Sequence, residues 1–190
     1  GGDRIHRVEG VLSGSLAWLF HHYDGQRPFS AWVREAAEAG YTEPDPRVDL
    51  SGEDVRRKLL ILARASGIAL RAEQVQVASL VPDALAALSP ADALSQLSVL
   101  DAPLQAYWQQ AQEQAGCLRF VGGFDHDGAA VGLRVLPRDH PLAGGAQTDN
   151  RVAIHSDRYH AQPLLIQGPG AGADVTAAAL LDDVLAIVRR

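Results

Sequence analysis

The segment GYTEPDPRVDLSGEDVRRKLLILA, Gly40 to Ala63, gathers Glu43, Asp45, Asp49, Glu53, Asp54 and Lys58 at the start of a helix. At about 100° per residue, Val55, Leu59 and Leu62 share one helix face, Arg56 and Arg57 lie toward the other, and Lys58 stands at the edge of the apolar stripe. Its amine is therefore expected to be partly buried. Asp54 precedes Lys58 by one helical turn, so their side chains can meet. Glu43 and Asp49 come from the loop just before, which Pro44 and Pro46 stiffen. Carboxylates beside one partly desolvated ammonium suit a small zwitterion: the acids accept its amino group and the lysine gives or takes a proton. The same side chains also fit a plain salt-bridge network, with Asp54 in a capping role, and their spacing leaves both readings open.

The elements that must hold these groups can be read from periodicity. RIHRVEGVL is a strand, and SLAWLFHHYD and PFSAWVREAAEAG carry apolar residues at helical spacing. Ser51 is expected to cap the Lys58 helix, with Asp54 completing a capping box, and Gly67 to close it. VQVASLVP reads as a strand, and Ser89-Pro90 starts one long helical region that runs through LQAYWQQAQEQAG to Gly116. CLRFVGGFD, AAVGLRVLP, NRVAIHSDRY and QPLLIQG are short β-rich runs separated by Gly, Pro and Asp, and a helix from Ala173 to Val188 comes after them. The expected class is α+β, a mixed, mainly antiparallel sheet with helices packed on one face.

Other chemistries find little support. The 190 residues carry a net charge of −6 with the basic residues scattered, which argues against a nucleic-acid partner. No apolar run reaches the roughly 20 residues of a membrane helix. With neither such a span nor a secretion signal at the start, the cytoplasm is the expected compartment. Cys117 is the single cysteine and reads as a small buried hydrophobe. Seven histidines form no zinc pattern, and LSGSL lacks the spacing of a nucleophile elbow, so Ser13, Gly14 and Ser15 read as a helix cap. Gly168, Gly170 and Gly172 lie between a strand and the last helix. They read either as a plain turn or as a backbone lip touching a cofactor held elsewhere, since the residues after Gly172 are too few for a whole dinucleotide-binding unit.

The Gly40–Ala63 segment, with VEGVLSGSLAWLF, LRFVG and QGPGAGADVTAAALLDDV in the same order, resembles the homoserine dehydrogenase family over nearly the whole chain. The wording is most similar to the C-terminal part of bifunctional aspartokinase/homoserine dehydrogenases, and a monofunctional parent stays open. The resemblance implies NADPH- or NADH-dependent interconversion of aspartate 4-semialdehyde and homoserine by a homodimer. It assigns proton transfer to Lys58, with Asp54 as its acidic partner, substrate binding to Glu43, Asp49, Tyr41 and Ser15, and contact with the nicotinamide ribose to Gly170, Ala171 and Gly172. Val48 stands where the family often has a further Asp, and Ser15 where Thr is common. The resemblance also implies a division into residues 1–167, the substrate-binding and dimerisation unit, and 168–190, a glycine loop and helix that return to a nucleotide-binding domain. That Rossmann domain, a second catalytic lysine and the ligands of a monovalent cation would belong upstream of Gly1, so the 190 residues alone are expected to be inactive. A non-catalytic dimerisation or amino-acid-binding module is the alternative.

Overall fold

The structure, a computed structural model, describes residues 2–145, 147–170 and 172–189. The first strand, β1 (Ile5–Val11), lies between two later ones, β3 (Gly116–Phe124) and β5 (Asp149–Ser156). β4 (Ala129–Pro137) extends the sheet beyond β3, and β6 (Leu164–Pro169) beyond β5. All these neighbours are antiparallel; β2 (Val75–Val77) joins β4 at the far edge in parallel. The sheet is thus six-stranded and mixed, in the order β2-β4-β3-β1-β5-β6.

Strand alternation divides the sheet into two unlike faces. Val8, Phe120, Phe124 and Val131 point into the main core, where they meet Leu16 and Leu19 of α1 (Gly14–His22), Phe29 and Val33 of α2 (Phe29–Glu38), and Val55 and Leu59 of α4 (Glu53–Ala65). On the opposite face, Val11, Val121, Leu136 and Ala153 pack with Leu142 from the β4–β5 connection, with Cys117 half-buried at their margin. Beside this patch Glu9 is buried, paired with Arg7 at 2.6 Å and 3.4 Å from His140.

Three expectations are revised. VQVASLVP gives only the three-residue β2, because Ser79 turns the chain by accepting from the Val81 amide at 3.0 Å. Ser89 does cap α6 (Pro90–Ser95), but the helical region is not continuous: a 3₁₀ turn, Leu97–Leu100, separates it from α7 (Asp101–Glu113). Pro103 has no amide to give the Val99 carbonyl and its ring would crowd that group, so the helix must restart there. Leu97 and Leu100 both enter the core at the break. The loop before the Lys58 helix holds a short helix of its own, α3 (Arg47–Leu50). A further short helix, α5 (Asp83–Ala86), precedes α6.

The last helix, α8 (Ala173–Val188), has the expected bounds but buries none of its described residues, and Leu180 and Ile187 are 63% and 71% exposed. No helix among the described residues is long and apolar enough to cross a membrane.

Candidate active site

Two helix junctions bring the charged groups of the Gly40–Ala63 segment together. The first is the end of α2, where Gly40, at φ 74°, donates to Ala37 and the Tyr41 amide reaches back to the Ala36 carbonyl at 2.8 Å. This paired closure, which needs a residue tolerant of the left-handed conformation, delivers Tyr41 to a fixed place. There its ring stacks on Trp18, centroids 5.1 Å apart and planes 25° from parallel.

The second junction is Gly52, which links α3 to α4 at φ 77°. The expected Ser51–Asp54 capping box is not formed. Gly52 occupies the cap position without a side chain, and the Ser51 hydroxyl donates to the Val48 carbonyl while accepting from the Glu53 amide at 3.2 Å. Asp54 is thereby left free to reach down its helix to Lys58, 2.8 Å away. The Lys58 ammonium also donates to the Leu12 carbonyl at 3.0 Å, which leaves one N–H for another acceptor. Its side chain is 38% exposed, matching the half-buried position expected from the helix stripe.

Asp49 is held by a relay. It accepts from the Ser15 hydroxyl at 2.6 Å and from the Glu43 amide at 2.8 Å. Because Ser15 gives its hydrogen to Asp49, the Ser13 hydroxyl, 2.9 Å away, must donate to Ser15. Ser13 in turn accepts from the Leu16 amide as the cap of α1. Two of the six charged residues prove structural. Asp45 pairs with Arg47 at 2.7 Å, a bond that holds its carboxyl below the usual range, and Arg47 also donates to the Leu85 and Leu88 carbonyls, tying α3 to α5 and the segment after it. Glu53 pairs with Arg56.

The other four, Glu43, Asp49, Asp54 and Lys58, line one cavity of about 460 Å³ together with Ser15, Tyr41, Gly170 and Gly172. Every described residue to which the resemblance assigns a role is therefore on its wall; Ala171 lies outside the described residues. The structure adds Ser13, Thr148 and Asn150, the last two from just before β5 and from its second position. Neither carried a signal in the sequence, where TDN reads as the polar border of a strand. The cavity holds three carboxylates and one ammonium, the electrostatic complement of a ligand with an amino group and an oxygen that exchanges a proton. Gly172 is open: among the described residues no atom beyond its chain neighbours lies within 4 Å of where its Cβ would stand, so its backbone can approach a planar ligand closely.

A model of the homoserine dehydrogenase family matches residues 1–185. The chain belongs to that family. Its relatives include the chloroplastic bifunctional aspartokinase/homoserine dehydrogenase 2 of Zea mays, 46% identical over 187 residues, which are 97% of this chain and 20% of the relative. The homoserine dehydrogenase of Paracoccidioides brasiliensis (strain Pb18) is 39% identical, with 100% of this chain and 54% of the relative covered. Among solved structures, a Candida auris protein of unknown function matches with a TM-score of 0.91 at 39% identity, covering 100% of this chain and 55% of that one. The chain thus spans about a fifth of the length of the maize enzyme and about half of that of the two fungal proteins. The homoserine dehydrogenase family consists of NAD(P)-dependent oxidoreductases acting on small molecules.

Proposed function

We propose that this chain is the substrate-binding part of a homoserine dehydrogenase that interconverts L-homoserine and L-aspartate 4-semialdehyde with NADP or NAD. The observation that carries the reading is the convergence of Glu43, Asp49, Asp54 and Lys58 on one cavity in a chain of this family.

Each group then has a task set by its partners. Glu43, whose carboxylate has no hydrogen-bond partner among the described residues, and Asp49, fixed by the serine relay, bind the substrate ammonium. Tyr41 closes the rim, held flat by Trp18. Lys58, oriented by Asp54 and the Leu12 carbonyl, directs its remaining N–H at the substrate oxygen. It gives that oxygen a proton when the aldehyde is reduced and takes one back when the alcohol is oxidised. The nicotinamide cofactor, when bound, supplies or accepts the hydride. Gly170, Ala171 and Gly172 would lie against its ribose, and the open space around Gly172 fits that role.

Residues 1–167 form the substrate and dimerisation unit on this reading, and 168–190 return to a nucleotide-binding domain. The uncovered apolar side of α8 supports the second part. The test is coenzyme-dependent oxidation of homoserine by the protein at its full natural length. Homoserine-dependent reduction of NADP or NAD is expected, and its absence in a folded, coenzyme-binding protein would reject the reading.

A further inference from the structure

One side chain on the cavity wall has no role in the proposed reaction. Asn150 stands near the start of β5, opposite Gly168 of β6, and its carboxamide leans across onto Gly170. A Cβ built at Gly170 would overlap Nδ2 and Cγ of Asn150. Gly170 does not have a left-handed φ, and the three atoms nearest to that Cβ all belong to the Asn150 carboxamide. Its backbone φ would accept a side chain; the amide of Asn150 is the nearest group in the way.

The amide is also an unusual thing to keep there. Its Oδ1 is fully buried and has no hydrogen-bond partner among the described residues. A buried carbonyl without a partner is costly, and such groups concentrate at functional sites, where local stability is given up for geometry. With no hydrogen bond from the carboxamide among the described residues, contact with Gly170 holds the amide, and the amide holds Gly170.

We infer that Asn150 is a positioning residue for the coenzyme: its carboxamide is the platform that sets the position of Gly170 at the substrate cavity, and Gly170 is glycine because Asn150 fills its side-chain space. This rests on the proposed dehydrogenase reading for the identity of the ligand at the turn. Asn150 acts through the turn, so its loss should be felt by the coenzyme and not by the amino acid at the acidic wall, where Glu43 and Asp49 are unchanged.

The experiment compares Asn150→Ala, Gly170→Ala and the double variant in the full-length protein, using homoserine kinetics, direct titration with NADPH by fluorescence, and thermal melting. Asn150→Ala should raise the coenzyme KM and the NADPH Kd by about tenfold, as expected when a positioning group is lost, with the homoserine KM within about twofold of wild type. Gly170→Ala should weaken NADPH binding similarly by displacing the amide, yet add less than about twofold in the Asn150→Ala background, because interacting sites are not additive. An unchanged NADPH Kd in Asn150→Ala, or independent effects in the double variant, overturns the inference. If wild type binds NADPH but does not oxidise homoserine, the functional reading fails, while the NADPH titrations and melting shifts still decide the pairing of Asn150 with Gly170.

Discussion

The ammonium of Lys58 is anchored to the carbonyl of Leu12, 3.0 Å away, across the gap between α4 and the end of β1. A lysine on an exposed helix would swing freely; this one is tied at once to the first strand of the sheet and, through Asp54, to its own helix. The anchor fixes the direction of the proton that remains, which is what an acid or base in a cavity needs.

Replacing Lys58 by alanine should therefore lower homoserine turnover by about 10²- to 10⁴-fold, the usual worth of a positioned acid or base. Stability should change little, because a half-exposed ion pair contributes about 1 kcal/mol or less. Lys58→Arg should not restore activity, since guanidinium keeps its proton and spreads its donors in a plane. Turnover by Lys58→Ala within about tenfold of wild type, in a folded protein, would remove the lysine from the reaction.

Asp49 gives a different signature. In Asp49→Asn one oxygen can still accept from Ser15, but the amide nitrogen then faces the Glu43 N–H, donor against donor. Loss of a charge-assisted contact costs about 1.5–3 kcal/mol, so the homoserine KM should rise by about tenfold or more while the coenzyme KM holds. Ser15→Ala should act in the same direction more weakly, because the Glu43 amide still holds the carboxylate. Steady-state kinetics with each substrate varied in turn separate these outcomes, and an equal rise in both KM values would contradict the assignment.

Local rules make much of this legible in the sequence. The apolar stripe of α4 and the i,i+4 step place Lys58 against Asp54, and the glycines at 40 and 67 mark real helix ends. What local rules miss is set by distant contacts. Asn150 and Thr148 matter because β5 lies next to β1 and its first residues reach the cavity, a fact of pairing rather than of composition. Trp18 reads as one more core residue, and its stack beneath Tyr41 depends on how α1 and α2 pack. The Ser51 cap fails because Gly52 approaches Phe120 so closely that the chain turns one residue later. Pro103 is a local signal that a continuous helix must break, masked by the apolar periodicity on either side.

Gly52 is accordingly the position where one methyl group should do the most harm to stability. An alanine there meets two penalties together: φ is 77°, where L side chains are strained, and its Cβ would stand 2.8 Å from the Phe120 ring, itself buried in the core. A loss of about 2 kcal/mol, or roughly 4–8 °C in melting temperature, is expected for Gly52→Ala. Gly40→Ala is the control, because it has a similar φ of 74° but open space around its Cβ. It should lose only the backbone part, and equal losses at both sites would show that the Phe120 contact carries no weight.

Mild acid should weaken the fold through two histidines. His140 sits against the face of the sheet that carries Glu9, where its Nδ1 accepts from the Leu142 amide at 3.1 Å, which leaves the Nε2 proton directed at Glu9, 3.4 Å away. Burial holds its pKa below the ordinary 6.5; Glu9 opposes this, and Arg7, Arg134 and His155, facing it from β1, β4 and β5, reinforce it. His21 is likewise held below 6.5 by burial, with His22 and Arg119 adding to the effect. A base whose folded pKa is depressed binds fewer protons than in the unfolded chain, so stability is complete above 6.5 and falls as pH drops below it. Asp45, held down by Arg47, loses its contribution only lower, below its ordinary 3.8. The melting temperature should thus decline between pH 7 and pH 5, over a window set by these histidines. His140→Asn, whose side-chain oxygen can still accept from Leu142 but cannot titrate, should flatten part of that decline and leave the rest to His21. Parallel pH profiles for wild type and His140→Asn would mean that His140 takes up its proton without cost.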